Sequence, residues 1–245
     1  MPTVSRVKQR GSVLRRPLKG EPLVSYTVDM LRDRIVNGAY ADGVLPPQGT
    51  LCDELSVSRS VVREAMRQLQ SMRLIEVSQG AQARVLPPGS AAMADSLHHF
   101  MQRTDASLIQ LAEIRLPLEV EIAGFAAARI EAEGLLRLHI SIRRLRDATT
   151  VEEQINADLE FHHVLAESTG NPLFVFLLEA LAGLLHETRR HTIGRVGISP
   201  ALAGHVSILQ AIEKRDVPGA QAAMTEHIRA SIRDLQGPGR TENDR

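Results

Sequence analysis

The sequence predicts a mostly α-helical protein with two parts, a small N-terminal domain that includes a β-hairpin and a larger C-terminal helical bundle. Of its 245 residues 43% are hydrophobic, but only 3% are aromatic and none is Trp. The core must therefore be built from Leu, Ile, Val, Ala and Met, a composition that favours helices. Apolar residues recur at spacings of three and four along most of the chain, and strand-like runs are confined to residues 74–86.

The N-terminal domain is predicted over residues 22–87. Its three helices are predicted over residues 23–37, 48–55 and 59–71. Gly38 suits the C-cap of the first helix, and Ser58 suits the N-cap of the third. Two short strand-like runs follow around the turn Gly80-Ala81. The order helix, helix, turn, helix, hairpin is that of a winged helix-turn-helix domain.

Charge is unevenly distributed, although the formal net charge is zero. Residues 1–90 hold 13 basic and 8 acidic residues, and six of the basic ones lie in a predicted flexible arm, residues 1–21. A basic arm beside a small domain suits a polyanionic partner. The alternative is a solvated tail that only aids solubility.

The beginning of the third helix carries residues suited to reading DNA. A recognition helix places its N-terminal end against base edges in the major groove, where arginine binds guanine and serine hydroxyls bind phosphates. An ordinary solvated helix is the alternative, but the complete order of elements beside a basic arm favours DNA binding. The candidate contact residues are Ser58, Arg59, Ser60 and Arg63.

The run LPPQGTLCDELSVSRSVVREAMRQL (45–69) resembles the signature of GntR-type bacterial transcription regulators. The resemblance implies that the four candidate residues contact an operator, and that Gln79 and Gly80 at the wing tip reach the minor groove. It also implies a homodimer on a palindromic double-stranded operator. Gly49 departs from the pattern because the family usually has a basic residue there, so one DNA contact is expected to be missing. The basic arm is a candidate substitute.

The C-terminal half is predicted to be entirely helical. A linker with a connecting helix is expected over residues 88–105, a bundle over 106–236 and a flexible tail over 237–245. Ser199 and Asp216 are expected to cap the last two helices. The helices are predicted over residues 91–102, 106–130, 134–147, 151–168, 172–193, 200–214 and 217–236.

Four residues of this bundle form a candidate set of metal ligands. Asp158 and His162 are four residues apart and so share one face of a helix, while His205 and His227 lie in two later helices. These side chains could converge in the core of a bundle, where imidazole and carboxylate together suit Zn, Ni or Mn. The alternative is that each is an ordinary structural or surface residue.

A second resemblance, over residues 107–236, is to the metal-containing FCD effector domain of FadR-like regulators in the same family. It implies that the four candidate residues ligate a divalent metal, and that Arg115 faces a cavity and binds the carboxylate of an effector. The alternative for Arg115 is an ion pair with Glu119 one turn away. Arg189 and Arg190 are weaker anion-binding candidates without a motif. The matching motifs are EIRLPLEVEIAGFAA (113–127), DLEFHHVLAESTGN (158–171) and HVSILQAI (205–212).

These inferences together predict a DNA-binding repressor that responds to a small organic acid at a metal site. The alternatives are a metal-dependent hydrolase or lyase with an appended DNA-binding domain, and a metal with a purely structural role. The single cysteine, Cys52, excludes an intrachain disulfide, and no apolar run is long enough to span a membrane. We therefore expect a cytoplasmic protein with no membrane partner.

Overall fold

A computed structural model describes residues 20–78 and 82–236 of the chain. These residues form ten helices and one antiparallel sheet of two strands, which confirms the mostly α-helical fold class. The chain divides between Ala92 and Met93 into two compact units. Residues 1–19 of the predicted arm, Gln79 and Gly80 at the wing tip, and the predicted tail lie outside the described residues.

The first unit contains three helices, α1 (Leu23–Val36), α2 (Gln48–Leu55) and α3 (Arg59–Ser71), with the bounds that the apolar spacing predicts to within one residue. The C-cap of α1 is Asn37 and not the predicted Gly38, which follows it with a φ of +68°, the left-handed position where glycine commonly ends a helix. The helices enclose one apolar core. Its fully buried members include Leu31, Leu45, Leu51, Val62 and Leu69.

Two short strands, β1 (Ile75–Glu76) and β2 (Arg84–Val85), form the base of the wing. They pair antiparallel, with Ile75 opposite Val85. The N–H of Leu45, in the segment that joins α1 to α2, donates to the carbonyl of Ala83 at 2.9 Å. The helix-turn-helix and the wing are therefore tied into a single unit.

The second unit is a bundle in which α10 packs against α5 and α9, while α7 packs against α6 and α8. Its apolar core is built largely from Ala, Ile, Leu and Val, with Phe161 as the one aromatic side chain among its buried described members. Within the described part of the chain, no helix has the length and apolarity that a membrane span requires. The helices are α4 (Ala91–Arg103), α5 (Leu108–Arg129), α6 (Ala132–Asp147), α7 (Val151–Ser168), α8 (Pro172–Val196), α9 (Ser199–Glu213) and α10 (Val217–Gln236).

The ends of these helices show which of the predicted capping residues act as caps. Asp216 caps α10 as expected, since its Oδ1 accepts the N–H of Gly219 at 3.0 Å. The expected cap at Ser199 is wrong, because α9 begins one residue earlier, with Ile198 as N-cap and no side-chain hydrogen bond. Proline at the first turn of α9 already fixes the backbone there, so no capping side chain is needed.

Candidate DNA-reading helix and buried polar cluster

The exposed beginning of α3 presents the four residues that the sequence singles out for DNA contact. Ser58 is the N-cap, and its Oγ accepts the N–H of Val61 at 3.4 Å and lies 2.8 Å from Oγ of Ser60. Arg59, Ser60 and Arg63 are all exposed. The opposite face of α3 is buried and consists of Val62, Ala65, Met66 and Leu69.

The arginines at this end of α3 differ from the one further along it. Arg67 pairs with Glu64 at 3.5 Å, whereas neither Arg59 nor Arg63 forms an ion pair with another described residue. Their guanidinium groups are therefore available to a ligand. At Gly49, on α2, a Cβ atom would have no neighbour within 4 Å, so the missing basic side chain leaves open space.

The second unit buries a polar cluster that contains all four candidate metal ligands. One potential ligand atom from each of Asp158, His162, His205 and His227 lies within 4.8 Å of the other three. Asp158 and His162 come from successive turns of α7, His205 from α9 and His227 from α10. All four residues are buried.

Close packing fixes two of the imidazole rings. The ring of Phe161 stacks on that of His205, with 4.0 Å between the centroids and 10° between the planes. Gly204 permits the close approach of His227, because a Cβ at position 204 would lie 2.3 Å from Nδ1 of that ring. The cluster therefore requires a residue without a side chain next to one of its histidines.

Several ring nitrogens of the cluster have no hydrogen bond among the described residues. Both ring nitrogens of His162 and both of His205 are buried without a hydrogen bond. Nε2 of His205 lies 3.3 Å from Oδ1 of Asp158, but without the alignment that a hydrogen bond requires. Each such buried polar atom costs about 1–3 kcal/mol if it stays unpaired. Three imidazoles and a carboxylate that converge in this way fit a divalent transition metal.

Electrostatics keep these groups in the forms that ligate metals. Burial lowers the pKa of His205, and burial together with the neighbouring histidines lowers that of His227, so both imidazoles favour the neutral form. Burial alone would raise the pKa of Asp158, but Arg189 together with the neighbouring His205 and His162 outweighs it and holds that pKa well below its usual value. The carboxylate is therefore ionised at neutral pH.

Arg115 and Glu119, successive turns apart on α5, adjoin this cluster. Nε of Arg115 donates to Oε1 of Glu119 at 2.6 Å, so the ion pair considered as the alternative role for Arg115 does form. Both Nη atoms of Arg115 are nevertheless buried without a hydrogen-bond partner. Oε2 of Glu119 lies 2.5 Å from Nδ1 of His162. Glu119 thus connects the arginine to a candidate metal ligand.

Arg189 approaches the cluster from α8 and forms an ion pair with Asp158. Its Nη1 is buried without a hydrogen-bond partner. Next to this pair lies a cavity of about 30 Å³, lined also by His227, Thr192 and Ser231. The cavity reaches the cluster from the end of the bundle where α8, α9 and α10 meet.

Three residues of this cluster acquire roles that the motifs did not reveal. The sequence predicts Glu119 only as an ion-pair partner of Arg115, and Arg189 only as a weaker anion-binding candidate without a motif. An i, i+4 Arg–Glu pair is usually exposed, so its burial could not be read from the spacing. Gly204 did carry a signal, since a glycine inside a helix indicates close packing against its backbone.

Two regions of the chain match known protein families. Residues 110–230 match the FCD domain, and residues 23–85 match the bacterial regulatory proteins of the gntR family. The chain is 30% identical over 210 residues to the Uxu operon transcriptional regulator of Escherichia coli, covering 81% of each chain. It is 29% identical over 244 residues to the HTH-type transcriptional repressor NanR of Cronobacter sakazakii, covering 96% of this chain and 93% of that one.

Two further comparisons agree with these matches. The galactonate operon transcriptional repressor of Escherichia coli is 29% identical over 214 residues, covering 84% of this chain and 93% of the relative. A solved structure described as Streptococcus agalactiae GntR is similar with a TM-score of 0.63 and 27% identity. That similarity covers 85% of this chain and 98% of the other.

Gly204→Ala tests the close approach of His227. The added Cβ would collide with the ring, so we expect a loss of stability of about 1–3 kcal/mol in thermal or denaturant unfolding. Gly183→Ala is the matched control, since it is also inside a helix but has no neighbour within 4 Å of a new Cβ. It should be neutral or stabilise by up to about 1 kcal/mol. Equal stability of the two variants would contradict the packing described for position 204.

Proposed function

Because this chain belongs to the GntR family of bacterial regulatory proteins and carries an FCD domain, we propose that it is a repressor controlled by a small organic acid at a buried metal centre. The family and the relatives are transcription regulators and not enzymes, so the hydrolase or lyase alternative has no support. One observation carries the proposal. Four potential ligand atoms lie within 4.8 Å of one another, beside a buried guanidinium whose Nη atoms have no partner.

The first unit would read DNA with the beginning of α3. Arg59 and Arg63 are exposed and without ion pairs among the described residues, so they can reach guanine O6 and N7 in the major groove. Ser58 and Ser60, with the free N–H groups of the first turn, suit phosphate oxygens. The proposal places the protein in the cytoplasm, where bacterial operators are.

The remaining DNA contacts rest on the resemblance alone. Gln79 and Gly80 lie outside the described residues and are proposed to reach the minor groove from the wing tip. One recognition helix reads few base pairs, so two copies of the chain would be needed for an operator of useful specificity. We therefore propose a homodimer on a palindromic site.

The second unit would hold a divalent metal through Asp158, His162, His205 and His227. Zn, Ni and Mn all accept such a donor set. When bound, the metal supplies positive charge and coordination positions for the oxygen atoms of an acid. Glu119 would orient His162, because a carboxylate at the second ring nitrogen fixes the tautomer of a ligating histidine.

Arg115 would bind the carboxylate of the effector. Its Nε is occupied by Glu119, which leaves two adjacent Nη atoms on the outer edge of the fork. A guanidinium fork matches a planar carboxylate with two parallel hydrogen bonds, and burial strengthens them. One relative is named for the galactonate operon, so sugar acids are the first class of effector to test.

Binding of the acid in the cavity beside Arg189 would have to change the packing of the bundle. The cavity beside Arg189 has a volume of only about 30 Å³, whereas pockets for small organic ligands measure roughly 300–1,000 Å³. An acid therefore binds better to a more open arrangement of α8, α9 and α10. That difference in affinity between two arrangements is what allows a ligand to shift the protein from a DNA-binding to a non-binding state.

Arg59→Ala tests the reading helix. We expect a loss of about 1–3 kcal/mol in operator binding and a relaxed base preference at one position, measured by fluorescence anisotropy with operator variants. Arg32→Ala is the control, because it removes the same charge from an exposed, ion-paired position on α1. Equal effects of the two substitutions would contradict the assignment of α3.

His162→Ala tests the metal centre. The variant should lose bound zinc or nickel in elemental analysis after dialysis, since one of four ligands is removed. His163→Ala provides an adjacent control on the same helix, where the ring is partly exposed and 3.4 Å from Glu167. Full metal content in His162→Ala would reject the ligand set.

Arg115→Lys tests the effector site while preserving the charge that Glu119 requires. The variant should bind operator normally without acid and should need about 10-fold more acid for release, because lysine lacks the fork. Arg129→Lys, an exposed change on the same helix, should respond as the wild type. The readout is release of labelled operator across sugar acids, hydroxy acids and dicarboxylates. If no acid releases the metal-loaded wild-type protein from the operator, the metal has a purely structural role instead.

A further inference from the structure

Arg189 repeats the arrangement of Arg115 at the second carboxylate of the polar cluster. Each arginine uses Nε to bind a carboxylate, Arg189 that of Asp158 and Arg115 that of Glu119. Each also has buried Nη donors without a partner, Nη1 of Arg189 and both Nη atoms of Arg115. The side chains are 4% and 0% exposed, respectively. Burial is the largest cause of the lowered pKa of Arg115, and the positive charge of Arg189 is the next largest. The two guanidinium groups are therefore close enough to repel each other.

The buried charges of this region can be counted once the metal is included. The two guanidinium groups balance the carboxylates of Asp158 and Glu119, and histidines ligate metals as neutral imidazoles. A divalent ion would therefore leave two positive charges without compensation. Uncompensated charge is costly in a bundle interior, so the site favours a ligand that carries two negative charges.

We propose, on the basis of the function inferred above, that Arg189 is a second anion-binding residue and that the effector is a doubly negative acid such as a dicarboxylate. An acid with one carboxylate leaves a positive charge buried, and a hydroxyl in place of the second carboxylate does not supply the missing charge. Asp234 also lines the cavity, but it is partly exposed, so water screens its charge. Thr192 and Ser231 line the same cavity and offer hydroxyls to a polyhydroxylated chain.

The test compares glucarate with gluconate on the zinc-loaded full chain. These acids share a six-carbon polyhydroxy skeleton and differ only at C6, a carboxylate in one and a hydroxymethyl group in the other. Succinate and butyrate form a second pair without hydroxyls. We expect the wild type to bind the dicarboxylate of at least one pair about 10-fold more tightly, as measured by calorimetry and thermal shift. Zinc content measured after each titration excludes simple removal of the metal.

Arg189→Gln should lose most of this preference for the dicarboxylate. Arg190→Gln is the matched control, since the adjacent side chain is 63% exposed and pairs with Glu152, and it should behave as the wild type. Arg189→Lys covers the case in which the glutamine variant fails to fold, because it preserves the charge next to Asp158. Without the fork it should bind the dicarboxylate about 10-fold more weakly at unchanged zinc content.

The outcomes separate the two proposals. A wild type that binds the monocarboxylate of each pair as tightly as the dicarboxylate overturns this inference and leaves acid-controlled repression intact. Undiminished dicarboxylate binding by Arg189→Lys, or by a folded Arg189→Gln, also overturns it. A wild type that responds to no acid in either pair overturns the inference, and the wider acid panel with Arg115→Lys then decides whether the proposed function falls as well.

Discussion

Two buried ion pairs, Arg115 with Glu119 and Arg189 with Asp158, allow four charged groups to lie inside an otherwise apolar bundle. Neither arginine nor either carboxylate could be buried alone, because removing one partner of a buried pair costs about 3–5 kcal/mol. The pairing is also incomplete, since three Nη atoms have no partner. The interior is thus neutral in charge while several of its donors remain available.

This constraint links the site to the arrangement of the helices. The pair of Arg189 and Asp158 joins α8 to α7, and the contact of Glu119 with His162 joins α5 to α7, so this polar cluster links three helices of the bundle. A ligand that competes for any of these charges changes the forces between those helices. Because packed interiors do not deform continuously, such a change favours a switch between discrete arrangements. A buried charge cluster is for this reason a suitable place to sense an acid.

The secondary structure of the described residues was largely predictable. Apolar spacing located the helices, because each has one face that must leave water, and turn-forming or capping residues marked the breaks between them. Ser58 and Asp216 acted as caps as expected. Ser199 did not, since the adjacent proline begins α9 without help from a side chain. The capping boxes at Ser107 and Thr150 are not predicted, although Gln110 and Glu153 stand at the required spacing. Many residue pairs with this spacing occur by chance, so the spacing alone does not identify a cap.

The sequence by itself determined the two-part helical architecture, the exposed arginines of α3 and the set of Asp158, His162, His205 and His227. Periodicity carries the architecture and the exposed face of α3 because it depends on residues close together in the chain, whereas the set of four rests on the resemblance of its motifs to a known family. Only the tertiary structure decided that Glu119 lies against His162, that Arg189 lies against Asp158 and that Gly204 makes room for His227. These contacts join side chains of different helices, and burial and charge compensation between them are set by packing, which no local pattern encodes.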